Sequence, residues 1–183
     1  MTDATGAPLF PVRPGVDFYC VVGHPIGHSL SPKIHRAFAE QLGHQLDYER
    51  VELPIDAFAA GLTEFIAAGG RGMNVTVPFK EAACAACASL TVRARAAGAV
   101  NTISVQSGGR VLGDNTDGEG LVRDLKDNLG AKLAGASVLM IGAGGAARGV
   151  ITPLFEAGIA RLVLLNRTPE RAQALAQRFA DFP

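Results

Sequence analysis

The sequence is short of several features that would each fix a class. It has no excess charge of either sign: 17 basic residues stand against 17 acidic ones, with no basic stripe. That argues against nucleic acid as the main partner, because a strongly basic face is what such partners attract. No apolar run approaches the roughly 20 residues that a membrane helix needs, so no membrane partner is expected. The start, MTDATGAPLFPVRPG, lacks the charged lead and apolar core of a signal peptide and reads as a flexible lead-in. Only three cysteines occur, Cys20, Cys84 and Cys87, and an odd count without an export signal fits a reducing, cytoplasmic setting. Cys84 and Cys87 form a C-x-x-C, but within an alanine-rich helical stretch, with no second pair and no nearby histidine. The histidines, His24, His28, His35 and His44, show no ligand spacing, so no metal site is expected.

What is present is the material of a core. Of 183 residues, 48% are apolar, enough for one ordinary domain, or for a small one with part of another. Elements alternate. Asp17–Val22 reads as a strand. A Gly/Pro/Ser loop follows, and then a helix that Ser31 caps and Pro32 opens, with Ile34, Ala37, Phe38 and Leu42 as its apolar face. Asp47–Leu53 is a second strand, and Ala57–Ala68 a helix with Phe58, Leu62, Phe65 and Ile66 on one side. GMNVTVPFK, residues 72–80, is a strand that Pro78 ends, with a helix beginning at about Pro78 and another near Val92–Ala97. Residues 100–105 and 110–113 form a hairpin around Ser107-Gly108-Gly109, and Asp117–Asn128 is helical.

The pattern then changes. Ser137–Ile141 and Arg161–Leu165 are continuous apolar strands separated by a helix, which predicts a parallel sheet covered on both faces. The boundary falls near Asp114–Asp117. The fold class is α/β: a self-contained α/β unit over residues 1–115, then an incomplete Rossmann-type dinucleotide fold over 116–183, with two strands where a complete one has about six.

Residues 142–147, GAGGAA, fit G-x-G-x-x-A between a strand and a helix. The first glycine makes the tight turn, the second admits a pyrophosphate, and the third small residue lets helix and strand pack closely. At the end of the next strand an NAD enzyme usually carries Asp or Glu; this chain has Asn166-Arg167-Thr168, with Arg171 one turn on. A carboxylate would repel a 2′-phosphate, whereas guanidinium groups pair with one, so the cofactor is read as NADP. Three further clusters, GHPIGHSLSP (23–32), NVTVPFK (74–80) and AVNT…GDNTDG (99–118), set hydroxyls, amides and charges beside glycines at element ends. A polyhydroxylated acid needs short donors and acceptors of this kind.

Taken in order from Gly23 to Thr168, these stretches resemble the shikimate/quinate dehydrogenase family, whose pattern runs G-x-P-I-x-H-S-x-S-P, N-V-T-x-P-x-K, G-A-V-N-T, N-T-D-G, the glycine loop and N-R-T. The resemblance implies reversible reduction of 3-dehydroshikimate to shikimate by NADPH, on the route to chorismate and aromatic amino acids. It implies that Ser29 and Ser31 bind the substrate carboxylate and that Thr76, Asn101 and Asp117 bind ring hydroxyls. Lys80 and Asp117 would be the catalytic pair. Gly142, Ala143, Gly144, Gly145 and Ala146 would hold the pyrophosphate, and Asn166, Arg167, Thr168 and Arg171 the adenosine phosphate. A neighbouring carboxylate would orient Lys80 and keep it charged. Arg36 stands where the family usually has Asn, and the acidic residue common near Val92 is missing. Family members also run longer and carry a late glutamine with no counterpart here. A quinate/shikimate enzyme, or a chain that holds ligand without turnover, stays as an alternative, and the oligomeric state, a homodimer included, stays open.

Overall fold

The computed structural model describes residues 8–180. Two compact units divide them: one runs to Leu90 and adds Val100–Asp114, and the other combines Thr91–Ala99 with the chain from Asn115 on.

The first unit is built on a six-stranded sheet in the order β2-β1-β3-β5-β6-β4. The strands are β1 (Asp17–Gly23), β2 (Leu46–Glu52), β3 (Gly72–Val75), β4 (Ser89–Leu90), β5 (Thr102–Val105) and β6 (Val111–Asp114). β5 runs antiparallel to β3 and β6, while the β1–β2, β1–β3 and β4–β6 pairs are parallel. Gly23, Glu52, Val75, Leu90 and Asp114 therefore end their strands at one edge, where β5 begins. α1 (Ser31–Leu42), α2 (Phe58–Ala67) and α3 (Lys80–Ala86) complete the unit. Phe18, Leu53, Phe65, Phe79 and Ile103 are its fully buried anchors. Burying each such side chain contributes about 1.5–3 kcal/mol.

Three expectations change here. The lead-in is held where it is described: Phe10 is buried edge-on to Phe65, with ring centroids 5.4 Å apart, and Arg13 grips both Asp47 oxygens at 2.7 and 2.5 Å. Residues 1–7 of that lead-in lie outside the described residues. In α1, Ile34, Phe38 and Leu42 are exposed, and Pro32 and Ala39 are buried instead. The helix packs on β2, where the His35 ring stacks on Tyr48 at 4.3 Å. Periodicity identifies a helix, but this apolar stripe is not the one that meets the sheet. Pro78 also precedes its helix: Phe79 N–H donates to the Thr76 carbonyl at 2.9 Å, closing a turn with a cis Val77–Pro78 bond, and α3 starts at Lys80.

The second unit holds α4 (Val92–Ala97), α5 (Asp117–Arg123) running on into a π-helical turn (Asp124–Asn128), β7 (Ser137–Ile141), α6 (Gly145–Glu156), β8 (Arg161–Leu165) and α7 (Pro169–Arg178). β7 and β8 pair in parallel, and Val138, Met140, Leu162 and Leu164 face the cores around Ile151, Leu154 and Leu175. Among the described residues nothing covers the other face. Leu139, Ile141, Val163 and Leu165 are 61%, 78%, 40% and 55% exposed, which corrects the expectation of a sheet buried on both sides. The register pairs Leu139 with Val163 and Ile141 with Leu165, so the four form one apolar surface. Among the described residues, no helix is long and apolar enough to cross a membrane.

Candidate functional site

The sheet edge that collects the strand ends of the first unit also collects its polar motifs. After β1 the chain turns at Gly23, where a Cβ would meet Thr76 Cγ2 at 2.7 Å and Ile26 Cδ1 at 2.8 Å, so only glycine lets these loops close together. His24 N–H donates to the Val77 carbonyl at 3.0 Å, and Thr76 N–H to Val22 at 2.9 Å, lacing the two motif loops to each other. Arg50 Nε holds the Ser29 carbonyl at 2.7 Å. Ser29 Oγ accepts the Ser31 N–H at 3.3 Å and donates to Ser31 Oγ at 3.1 Å. The expected Ser31 side-chain cap is absent, since Ser31 is itself the first helical residue and Leu30 occupies the cap position. Both hydroxyls thus sit half-buried beside the N-terminal end of the 12-residue helix α1, where donors and positive potential favour a carboxylate.

At the next strand end, Phe79 is 1% exposed and stacks on Phe58 at 5.4 Å. Lys80 follows it as the first residue of α3, half-buried, and the Lys80 carbonyl accepts the Val100 N–H at 2.8 Å. The lysine stem therefore leaves a corner fixed by a buried ring and a backbone bond, not a loose loop. Asn101, 9% exposed, is tied to both neighbouring strands: its carbonyl accepts from Val75 N–H at 2.8 Å, and its N–H donates to Asp114 at 3.0 Å. Ser29, Ser31, Thr76, Lys80 and Asn101 all belong to the first unit and flank this edge; Asp117 belongs to the second. Asp117 opens α5 rather than capping it, its N–H donating to the Asn115 side chain at 3.2 Å. Asn115, 2% exposed, is locked in turn by donating to the Ala99 carbonyl at 2.9 Å.

In the second unit the glycine loop leaves β7 as the motif requires. Gly142 takes φ +116°, a conformation that favours glycine, and its N–H donates to the Leu165 carbonyl at 2.8 Å. Nothing lies within 4 Å of an ideal Cβ at Gly142 or Gly144, so the loop offers an open backbone surface at the start of α6. That fits a pyrophosphate approaching the first-turn N–H groups. Ala143 is buried beneath, while Gly144 and Ala146 are exposed and Gly145 half-exposed. At the end of β8, Asn166 Nδ2 donates to the Thr168 carbonyl at 2.8 Å and Arg171 N–H to the same carbonyl at 3.1 Å. This turn leaves the Arg167 and Arg171 side chains exposed.

Four residues near the substrate motifs have no role in the sequence reading: His35, Tyr48, Asn74 and Thr102. They line a cavity of about 540 Å³ over the sheet face. The alternation of Asn74 and Thr76 with valines was the available sign that polar side chains share a strand face. The Tyr48 position carried none. The cysteines stay apart from this chemistry. Cys20 is wholly buried, and burial, with Cys84 close by, raises the Cys87 thiol to about 11.

Comparison with known proteins matches the chain to two family models. The family model for the shikimate dehydrogenase substrate binding domain matches residues 21–103, and that for shikimate / quinate 5-dehydrogenase matches residues 124–182. A shikimate dehydrogenase (NADP(+)) of Shewanella halifaxensis is 56% identical over 164 residues, which are 90% of this chain and 58% of that protein. Shikimate 5-dehydrogenase of Thermus thermophilus, solved in complex with NADP(H) and shikimate, superposes with a TM-score of 0.82 at 42% identity, covering 90% of this chain and 61% of its own. Shikimate dehydrogenase of Aquifex aeolicus gives 0.86 at 36% identity, covering 92% and 62%. The chain thus spans about three fifths of the length of these relatives. With both family models and this level of identity, the chain belongs to the shikimate dehydrogenase family.

Proposed function

We propose that this chain forms the substrate-binding unit and the first part of the NADP-binding unit of a cytoplasmic NADP-dependent shikimate dehydrogenase, which reduces 3-dehydroshikimate reversibly to shikimate. The observation that carries this reading is the gathering of Ser29, Ser31, Thr76, Lys80 and Asn101 along one sheet edge. The serine hydroxyls and the α1 N-terminus would take the ring carboxylate, and Thr76 and Asn101 the ring hydroxyls. NADPH, when bound, supplies the hydride. As the hydride reaches the carbonyl carbon, negative charge develops on oxygen. Lys80 then stabilises that charge and delivers the proton, so that C=O becomes CH–OH. Asp117 would orient the Lys80 ammonium and hold a ring hydroxyl. In the opposite direction Lys80 accepts the hydroxyl proton as hydride leaves.

The second reading, ligand binding without turnover, is favoured by the two-stranded β7–β8 sheet with its bare face. One assay separates the two. The purified chain is mixed with shikimate and NADP+, and NADPH absorbance is followed, with binding measured in parallel by calorimetry. Turnover with shikimate and little with quinate supports the first reading. Shikimate binding without turnover supports the second, and absence of binding would remove both.

A further inference from the structure

The geometry points to Tyr48 as a positioning residue of the substrate site: its hydroxyl fixes the Asn101 side-chain amide through one directional chain of hydrogen bonds. The inference rests on the functional reading above, deepening it by a residue that the motifs do not contain.

The chain can be followed bond by bond. Tyr48 donates to Asn74 Oδ1 at 2.6 Å. Asn74 Nδ2 donates to Thr102 Oγ1 at 3.3 Å, and Thr102 Oγ1 donates to Asn101 Oδ1 at 2.9 Å. The register makes this possible: Tyr48 lies opposite Tyr19, Asn74 opposite Val21, and Thr102 opposite Asn74, so all these side chains rise from one sheet face. Tyr48 packs with Val21 and Ile26 and so spans β1 to reach β3.

An ordinary buried tyrosine needs one partner for its hydroxyl. Tyr48, 2% exposed and stacked on His35, has that partner in Asn74, which belongs to a substrate motif and passes the bond on to Thr102. The consequence is a fixed polarity. Because Tyr48 donates to Asn74 Oδ1, the Asn74 amide nitrogen turns to Thr102. Thr102 must then give its proton to Asn101 Oδ1, which sets the Asn101 Nδ2 on the opposite side. Asn101 is thereby set to donate to a hydroxyl oxygen, and the choice is made at Tyr48 on β2.

Tyr48→Phe keeps the ring and deletes the hydroxyl; Thr102→Val breaks the chain one link further on. In ligand-free protein, NMR should show the Asn101 side-chain amide exchanging with solvent at least tenfold faster in both variants. Shikimate dissociation constants should rise about five- to tenfold, as expected for one lost neutral hydrogen bond. In an Asn101→Ala background the same changes should cost less than about twofold, because the chain then ends on nothing. Unchanged Asn101 exchange, or additive losses in the double variants, would overturn the inference. If the unaltered chain fails to bind shikimate, the functional reading falls, and the exchange experiment still decides the hydrogen-bond chain.

Discussion

Two glycines on α5, two positions apart, should respond to alanine in opposite directions. Gly118 is buried, and its ideal Cβ would lie 2.4 Å from the Gly149 carbonyl oxygen and 2.4 Å from Pro153 Cγ. Unstrained carbon contacts need about 3.5–4.0 Å, so α5 and α6 would have to separate by about 1 Å. Neither obstacle can step aside by changing rotamer: one is backbone, the other a ring locked into α6. Gly149 is fixed from a second side, because its own Cβ position meets the buried Asn115 amide at 2.6 Å. Overpacking of this kind costs about 1–3 kcal/mol, and rigid neighbours place it near the upper end. Alanine in a helix returns about 1 kcal/mol relative to glycine. Gly118→Ala should therefore destabilise by about 1–2 kcal/mol, a fall in Tm of about 3–8 °C for a chain of this size. Gly120, exposed and with nothing within 4 Å of its Cβ position, keeps only the propensity gain. Gly120→Ala should raise Tm by about 1–4 °C. Melts followed by circular dichroism on the three proteins are enough. Shifts of the same sign in both variants would refute the close-packing argument, since propensity alone treats the two positions alike.

Other consequences are as direct. Phe79→Ala, at the buried anchor before Lys80, should lose about 3–5 kcal/mol in urea unfolding. Lys80→Met, tested in a form that turns over, should abolish most shikimate oxidation while shikimate still binds by calorimetry; near-normal turnover would end the catalytic assignment. Replacing Arg167 and Arg171 with alanine should weaken NADP+ binding at least on the order of ten- to a hundredfold and leave NAD+ nearly unchanged, since a single lost charged hydrogen bond costs about 1.5–3 kcal/mol. Equal losses for both nucleotides would mean these residues do not read the 2′-phosphate. Burial lowers the pKa of His35. As pH falls below about 6.5 the unfolded chain takes up this proton first, so the His35 contribution, full above that value, is lost through the folded pKa. Urea midpoints of His35→Phe should accordingly depend less on pH between about 7 and 5 than those of the unaltered chain.

The second unit is the more legible in sequence. Both of its strands fall on the residues that apolar continuity picks out, and Gly142 adopts the left-handed conformation that its place in the motif demands. The misreading of its sheet has the same origin. An all-apolar strand reports that both faces are suited to burial, not that the chain at hand supplies both covers, and here Leu139 and Ile141 remain exposed. In α1 the error runs the other way. Ile34, Phe38 and Leu42 make a proper helical stripe, yet the helix buries Pro32 and Ala39 and turns His35 onto Tyr48 of β2. Aromatic stacking of His35 on Tyr48 outweighs hydropathy as a guide to orientation, and no local pattern records a partner 13 positions away in the sequence.

The site divides along a similar line. The residues proposed to meet ligand sit at strand ends, where proline, glycine and small polar side chains stand in a fixed order, which is why spacing singles them out. Residues that orient them sit inside strands. Tyr48 in LDYERVE occupies an ordinary alternating position, and any buried aromatic would satisfy the packing there. Only three-strand register shows that its hydroxyl reaches Asn74, which already faces Thr102. Register is set by long-range pairing, to which one-dimensional periodicity is blind. Tyr48 therefore has to be found from the direction of its hydrogen bonds: a hydroxyl that donates to Asn74, and through it orders Thr102 and Asn101, cannot be exchanged for packing alone.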